Sequence, residues 1–348
     1  MKVLAINSSP RAAGQSKTEL LLSHLVKGMQ AAGAEVEAVD LRQKKINYCL
    51  GCFTCWTRTP GKCIHQDEMA LELFPKWLEA DIVVYASPLY NYTVNAQMKT
   101  FIERTLPISM PYLKPVGEQT THPLRSRHPS IVLLSVAGLP ENNVFDALSV
   151  WAKAVFKKNL IAELFRPGAE TLVNLPVKEK VFQAFEQAGK EIVTQGAVTV
   201  ETMQCIKQPI GDPAQIAAMA NIHWQTMIKE GLNPAEANRK GTVPRPDSIP
   251  TFMGILTMGF NPQKAIGQKG ILQFHFSGEQ IGDCYFNIDE KGCTAHAGCA
   301  DKPDCTVNAP FEVWADIIQG KAEGARMFME GKYAAQGNFS LMRVFGQN

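Results

Sequence analysis

The chain reads as a doubly wound α/β unit with a five-stranded parallel sheet over residues 1–205, then a helix and linker over 206–250, then an α+β unit over 251–348. Three observations lead there. Apolar runs alternate with helical apolar spacing up to about residue 205, the grammar of parallel strands covered on both faces. Beyond that point short segments separated by turn residues take over. At 348 residues the chain is also long for one domain of roughly 100–200 residues.

KVLAIN (2–7) is a short apolar run, followed by SSPRAAGQSKT and by TELLLSHLVKGMQAAG, whose apolar spacing is helical and whose Gly33 is a helix stop. EVEAVDL (35–41) reads as a strand, and MALELFPKWLEA as a helix blemished by Pro75. DIVVYASP (81–88) is a buried strand, NAQMKTFIERTL (95–106) a helix and SIVLLSVAG (130–138) a further strand. A helix near 142–158, a strand near 161–172 and a helix near 178–195 complete the first unit. In the middle segment, DPAQIAAMANIHWQTMIKEG (212–231) is one helix with Asp212 as N-cap, Pro213 at its first position and Gly231 as its stop. NRKGTVPRPDSIP (238–250), rich in Pro, Gly and charge, reads as a linker. GILQFHFS, DCYFNID, CTAHAGCA and CTVNAP then read as an antiparallel meander. Helices near 311–319 and 321–330 and a last strand at YAAQGN follow.

A formal net charge of +2, with no basic stripe, gives no case for a nucleic-acid surface. No apolar run approaches the roughly 20 residues of a membrane span, and MKVLAINSSP is not a signal peptide. These readings point to the cytoplasm, where clustered cysteines read as metal ligands or redox thiols before structural disulfides.

Ligands of open parallel sheets sit at the carboxyl ends of the strands. The first such end, SSPRAAGQSKT (8–18), lies between a strand and a helix start. Its backbone N–H groups would face an anion, helped by the helix dipole. Ser9, Ser16 and Thr18 add hydroxyl donors, and Arg11 adds charge. The stretch matches neither G-x-x-x-x-G-K-[ST] nor G-x-G-x-x-G, so neither a triphosphatase nor a Rossmann-type dinucleotide site is indicated. The second end, SPLYNYTVNAQMKTFIER (87–104), offers backbone amides for the polar edge of a flat ring and Tyr90 to pack on it. The third is SVAG (135–138), where Gly138 permits close backbone approach.

SSPR…S-K-T followed by SPLYNYTVNAQMKTFIER resembles the NADPH-dependent FMN reductase branch of flavodoxin-like proteins. The cysteine loop followed by QDEM resembles the iron–sulfur flavoprotein group of that branch. The resemblance implies FMN, with Ser9, Arg11, Ser16, Lys17 and Thr18 on its phosphate. It also implies Pro88, Leu89, Tyr90 and Asn91 along its ring, with Ser135 to Gly138 closing the other side. The redox step then belongs to the cofactor, with no protein acid or base required. NAD(P)H is the implied donor, a small molecule the acceptor and a homodimer the assembly. YLKPVGEQTTHPLRSRHPS (112–130) reads as a solvated insertion or as a lid that brings Arg125 and Arg127 to a phosphate of NADPH.

Cys49, Cys52, Cys55 and Cys63, four of the nine cysteines, are spaced C-x2-C-x2-C-x7-C. A [4Fe–4S] cluster is well wrapped by such a compact run, with Pro60 and Gly61 turning Cys63 back. Zinc, a C-x2-C redox switch and plain thiols fit the same spacing. Cys284, Cys293, Cys299 and Cys305 fit no metal template and read as packed structural residues. The seven histidines show no ligand-like grouping.

The meander, PDCTVNAPFEVWADIIQGK (303–321) and MFMEGKYAAQGNFSLM (327–342) resemble the sterol carrier protein 2 (SCP2) domain. That resemblance implies an apolar ligand between sheet and helices, with Phe311, Trp314, Ile317, Ile318, Met327 and Phe328 either lining a tunnel or filling a core. The expectation is an FMN oxidoreductase. The alternatives are an iron–sulfur electron-transfer protein and a lipid-binding protein with a non-catalytic flavodoxin-like half.

Overall fold

A computed structural model describes residues 1–175 and 177–345. The chain divides into two compact units, Met1–Ile210 and Gly211–Asn348.

In chain order the first unit contains β1 (Lys2–Asn7), α1 (Lys17–Ala31), β2 (Glu35–Asp40), α2 (Phe74–Glu79), β3 (Ile82–Tyr90), β4 (Thr93–Val94), α3 (Ala96–Glu103), β5 (Lys114–Val116), β6 (Gln119–Thr121), β7 (Ser130–Val136), α4 (Asp146–Phe156), β8 (Leu160–Arg166), α5 (Ala169–Leu172), α6 (Lys178–Gln195) and α7 (Val200–Lys207). The main sheet runs β2-β1-β3-β7-β8, all parallel. This is the doubly wound flavodoxin-like order, and the strand direction of travel reverses between β1 and β3. Two-residue β4 pairs antiparallel with the end of β3 and adds a sixth strand to the five expected.

Both faces are apolar because both are covered. Ile6, Val83, Tyr85 and Leu133 pack on one side with α2, α3 and α4, while Ala5, Val84, Val132 and Leu134 pack on the other with α1 and α6. The helices α1 and α6 approach backbone to backbone. A Cβ on Gly28 would lie 1.9 Å from the carbonyl oxygen of Glu186, and one on Gly189 would lie 2.2 Å from that of Leu25.

Several local expectations need correction. The Pro75 blemish takes the form of a change of winding, not a break. The helical stretch that opens at Asp67 passes through a π-helical turn at Met69–Leu73 and becomes α-helical at Phe74, so Pro75 is accommodated inside it where the winding changes. The strand expected near 161–172 ends at Arg166, and left-handed Gly168 opens the short α5 instead. Helix α7 was not anticipated. Buried Arg166 ties it down by donating to the carbonyls of Ile206 and Gln208 at its carboxyl end, at 2.7 and 2.8 Å. The 112–130 insertion carries the β5–β6 hairpin. Arg127 does not reach the carboxyl ends of the strands: it pairs with Asp81, just before β3, at the amino end of the sheet.

The second unit contains α8 (Pro213–Glu230), α9 (Pro234–Lys240), α10 (Ile249–Met258), β9 (Gly270–Ser277), β10 (Gly282–Asp289), β11 (Gly292–Ala297), β12 (Cys305–Pro310), α11 (Phe311–Ile318), α12 (Gly324–Met329) and β13 (Ala334–Gly337). Asp212 caps α8 through the N–H of Gln215, and Gly231 ends it in the left-handed conformation. The expected linker is partly helical. Asn233 and Ser248 close capping boxes on α9 and α10, so only the stretch between these helices is irregular.

The sheet order is β11-β10-β9-β12-β13. β9, β10 and β11 form the expected antiparallel meander, but β12 pairs with β9 in parallel, which makes the sheet mixed. Phe252 of α10 meets Phe274, Phe276, Phe286, Phe311 and Trp314 at ring separations of 4.8–6.4 Å. Phe311 and Trp314 are therefore packed core residues, with Ile317, Ile318 and Met327 against them and Phe328 exposed. Cys284 and Cys305 are buried in this core and Cys293 packs beside it. Cys299 departs from expectation: β11 ends at Ala297, and Cys299 is exposed beyond it.

Candidate functional site

A cavity of about 150 Å³ opens at the carboxyl ends of the first unit's strands. Ser9, Arg11, Ser16, Lys17 and Thr18 line it from the β1–α1 connection, Pro88, Leu89 and Tyr90 from the end of β3, and Val136, Ala137 and Gly138 from the end of β7. These segments converge because β1, β3 and β7 are adjacent and parallel. Asn95 knits two of them together. Its side chain donates to the carbonyl of Ser8 at 2.6 Å, and its N–H donates to Ser87 Oγ at 3.0 Å.

The β1–α1 loop is built for an anion. Ser16 caps α1 by accepting from the N–H of Glu19 at 3.0 Å. The N–H groups of Lys17 and Thr18 in the first turn have no acceptor within the helix and lie at its positive end. Arg11 reaches across to form an ion pair with Glu170 at the start of α5.

Two expected residues lie elsewhere. Asn91 is not among the lining side chains; with Tyr92 it forms the β3–β4 turn, both in the left-handed conformation (φ 47° and 61°). Ser135 is buried on β7 in register with Ser87, and its hydroxyl finds no partner. Ala169 and Glu170 line the cavity and were missed. Nothing local marks them, since only the placement of β8 beside β7 brings α5 there.

The second site is the cysteine loop. Cys49, Cys52, Cys55 and Cys63 line one small cavity together with Arg104. The Pro60-Gly61 turn returns the chain: left-handed Gly61 (φ 79°) donates its N–H to the carbonyl of Cys55 at 2.9 Å. Burial raises the Cys55 thiol pKa, and the neighbouring Cys63, Cys49 and Cys52 raise it further. Hydrogen bonds from Thr54 lower that of Cys52. Arg104 lies beside Cys63, is almost wholly buried, and donates to Asp67 and to the carbonyl of Asn47.

The sulfur spacing bears on the metal. A tetrahedral zinc with Zn–S near 2.3 Å would hold its sulfurs about 3.8 Å apart. Among the described residues, the only three or more candidate ligand atoms lying within 4.8 Å of one another belong to His275, Asp283 and Cys299. The four thiols line one space, and the donor set suits either a single soft ion or a cluster held by four thiolates.

Residues 1–127 match the NADPH-dependent FMN reductase family. Residues 259–347 match the SCP-2 sterol transfer family. An iron-sulfur flavoprotein of Archaeoglobus fulgidus is 45% identical over 107 residues, 31% of this chain and 46% of that protein. One of Methanocaldococcus jannaschii is 36% identical over 104 residues, 30% of this chain and 50% of that protein. An FMN-dependent NADH:quinone oxidoreductase of Delftia acidovorans is 33% identical over 110 residues, 30% of this chain and 51% of that protein. The chain thus spans about half the length of these relatives. The FMN reductase-like segment includes the β1–α1 loop, the cysteine loop and the β3 end, and stops before β7. No helix among the described residues is long and apolar enough to cross a membrane.

Proposed function

We propose that the chain is an FMN-dependent oxidoreductase that takes electrons from NAD(P)H or a reduced carrier and passes them to a small-molecule acceptor. The observation that carries this reading is the cavity at the reversal point between β1 and β3, with an anion-binding helix start on one wall and three strand ends around it. Its residues fit the cofactor. Ser9, Ser16 and Thr18, with the first-turn N–H groups of α1, suit a phosphate. Pro88, Leu89 and Tyr90 suit a flat ring, and the backbone of 136–138 closes the far side. Bound FMN would supply the redox chemistry itself. The chain's own work is to bind and orient the cofactor and to shield one of its faces. The FMN reductase match and the quinone oxidoreductase relative support this reading.

We assign Cys49, Cys52, Cys55 and Cys63 as the holders of a [4Fe–4S] cluster, on the shared cavity and the compact C-x2-C-x2-C run completed by Cys63. The iron-sulfur flavoprotein relatives support the assignment. The SCP-2 match supports an apolar ligand for the second unit.

The test is to purify the full chain without oxygen, record its visible spectrum, assay iron and acid-labile sulfide, and follow NADH and NADPH oxidation. Flavin bands with about four irons and four sulfides per chain support both assignments. A yellow chain without iron keeps the FMN reading and removes the cluster. A colourless chain that FMN does not restore overturns the oxidoreductase reading and favours a lipid-binding protein.

A further inference from the structure

The second unit carries a group of ligand-type side chains that the proposed flavin and cysteine-loop chemistry leaves unused. His275 on β9 and Asp283 on β10 are directly paired across the antiparallel ladder. They point to the sheet face opposite the aromatic core, because Leu272, Phe274 and Phe276 alternate with His275, and Cys284 and Phe286 with Asp283. His275 Nδ1 lies 2.6 Å from Asp283 Oδ1, and the Cys299 thiol donates to Asp283 Oδ2 at 3.2 Å. One nitrogen, one oxygen and one sulfur from three separate segments thus lie within 4.8 Å of one another.

The loop that presents Cys299 is held from both sides. Gln273, only 1% exposed, accepts from the N–H of Ala300 at 2.8 Å and donates to the carbonyl of Gly298 at 3.3 Å. Its amide also donates to the carbonyls of Phe274 and Cys284. Gly298, left-handed at φ 92°, donates its own N–H to the carbonyl of Asp283 at 2.8 Å. One buried glutamine therefore clamps the residues immediately before and after an exposed cysteine and fixes its sulfur over the His275–Asp283 pair. A thiol that served only to cap Asp283 would need no such support. A metal ligand does, because the residues behind the ligands set their orientation.

We propose that His275, Asp283 and Cys299 form a mononuclear divalent transition-metal site, with zinc as the ion the mixed nitrogen, oxygen and sulfur set favours. The ion takes the place of two protons: that of the Cys299 thiol, which leaves to solvent, and that between His275 Nδ1 and Asp283, so that the neutral imidazole binds through Nδ1 and carries its remaining proton on Nε2. His275 and Asp283 separate by about 1 Å to reach tetrahedral spacing. Three protein ligands leave the fourth position to water on the exposed side of Cys299. Gln273 is a positioning residue.

The test reads Cys299 alone, so thiols of the 49–63 loop do not interfere. The full chain is alkylated with iodoacetamide, with and without added zinc, and modification of the Cys299 peptide is timed by mass spectrometry. Zinc is expected to slow it at least about tenfold, to lose that effect in His275→Ala and Asp283→Asn, and to retain only part of it in Gln273→Glu. Circular dichroism of the two ligand variants shows that they fold. Equal rates with and without zinc overturn the proposal. So does protection that survives both ligand substitutions. Neither result depends on flavin or cluster content, so the oxidoreductase reading stands or falls separately.

Discussion

Arg104 donates from its two terminal nitrogens to the two carboxylate oxygens of Asp67, at 2.7 and 2.9 Å, and both side chains are withdrawn from solvent. The pair pins the last turn of α3 to the far end of the cysteine loop, and the bond from Arg104 to the carbonyl of Asn47 pins its near end. Burial works against ionisation of Asp67. The Arg104 guanidinium and the N–H groups of Asn47 and Ala70 outweigh it and hold the carboxyl well below the usual range.

Removing one partner leaves a buried charge unpaired, which costs roughly 3–5 kcal/mol. By contrast, a half-exposed helix pair such as Lys99–Glu103 is worth about 0.3–0.5 kcal/mol. We expect Arg104→Gln to lower protection of the β3 amides by that larger amount in native-state hydrogen exchange, which reports the first unit alone. The pH dependence follows from the sign of the shift. Because the folded pKa is depressed, the contribution is complete above the unfolded value of about 3.9 and is lost as pH falls below it. Asp67→Asn should flatten the acid limb of the stability curve. An unchanged limb would mean that other carboxylates control acid unfolding.

Arg11 and Glu170 face each other across the proposed phosphate pocket, each about half exposed. Surface pairs of this kind are worth at most about 1 kcal/mol. Glu170→Gln frees Arg11 and removes a negative charge from an anion site. FMN should then bind up to about fivefold tighter, read by flavin fluorescence on the flavin-free chain. Weaker binding would show that Glu170 holds the ligand rather than competing for Arg11.

Gly189→Ala tests the contact between α1 and α6. Helix propensity alone says alanine stabilises by about 1 kcal/mol. The new Cβ would sit 2.2 Å from the Leu25 carbonyl oxygen and 2.8 Å from the Met29 nitrogen, both backbone atoms that no rotamer change can move. Overpacking at roughly 1–3 kcal/mol or more outweighs propensity. The melting temperature of the first unit should fall by a few degrees. A rise would mean that the two helices separate without loss.

The alternation that placed β1, β3, β7 and the helices between them was legible because each element's apolar pattern is a local property of consecutive residues. The β1–α1 loop and the cysteine spacing were legible for the same reason: their chemistry is carried by neighbours in the chain. Glu170 was not, because it reaches the cavity only when β8 lies beside β7. Periodicity also does not say at which end of the sheet the 112–130 insertion returns; the pairing of Arg127 with Asp81 sets aside the lid alternative and leaves the solvated insertion. The group formed by His275, Asp283 and Cys299 was invisible for a similar reason. Its members lie up to 24 positions apart, and strand register together with the Gln273 clamp brings them together.

The sequence by itself determined two units of different grammar, a parallel sheet with an anion loop after its first strand, and four thiols in one short loop. Tertiary structure decided that β12 joins β9 in parallel, that Arg104 stands beside the thiols, and that two glycines let α1 and α6 touch. The division has one physical cause. Apolar periodicity and turn chemistry record what each residue's neighbours in the chain require. Strand order, ion-pair partners and close backbone approach depend on distances between segments that the chain brings together only when both faces of the sheet are buried.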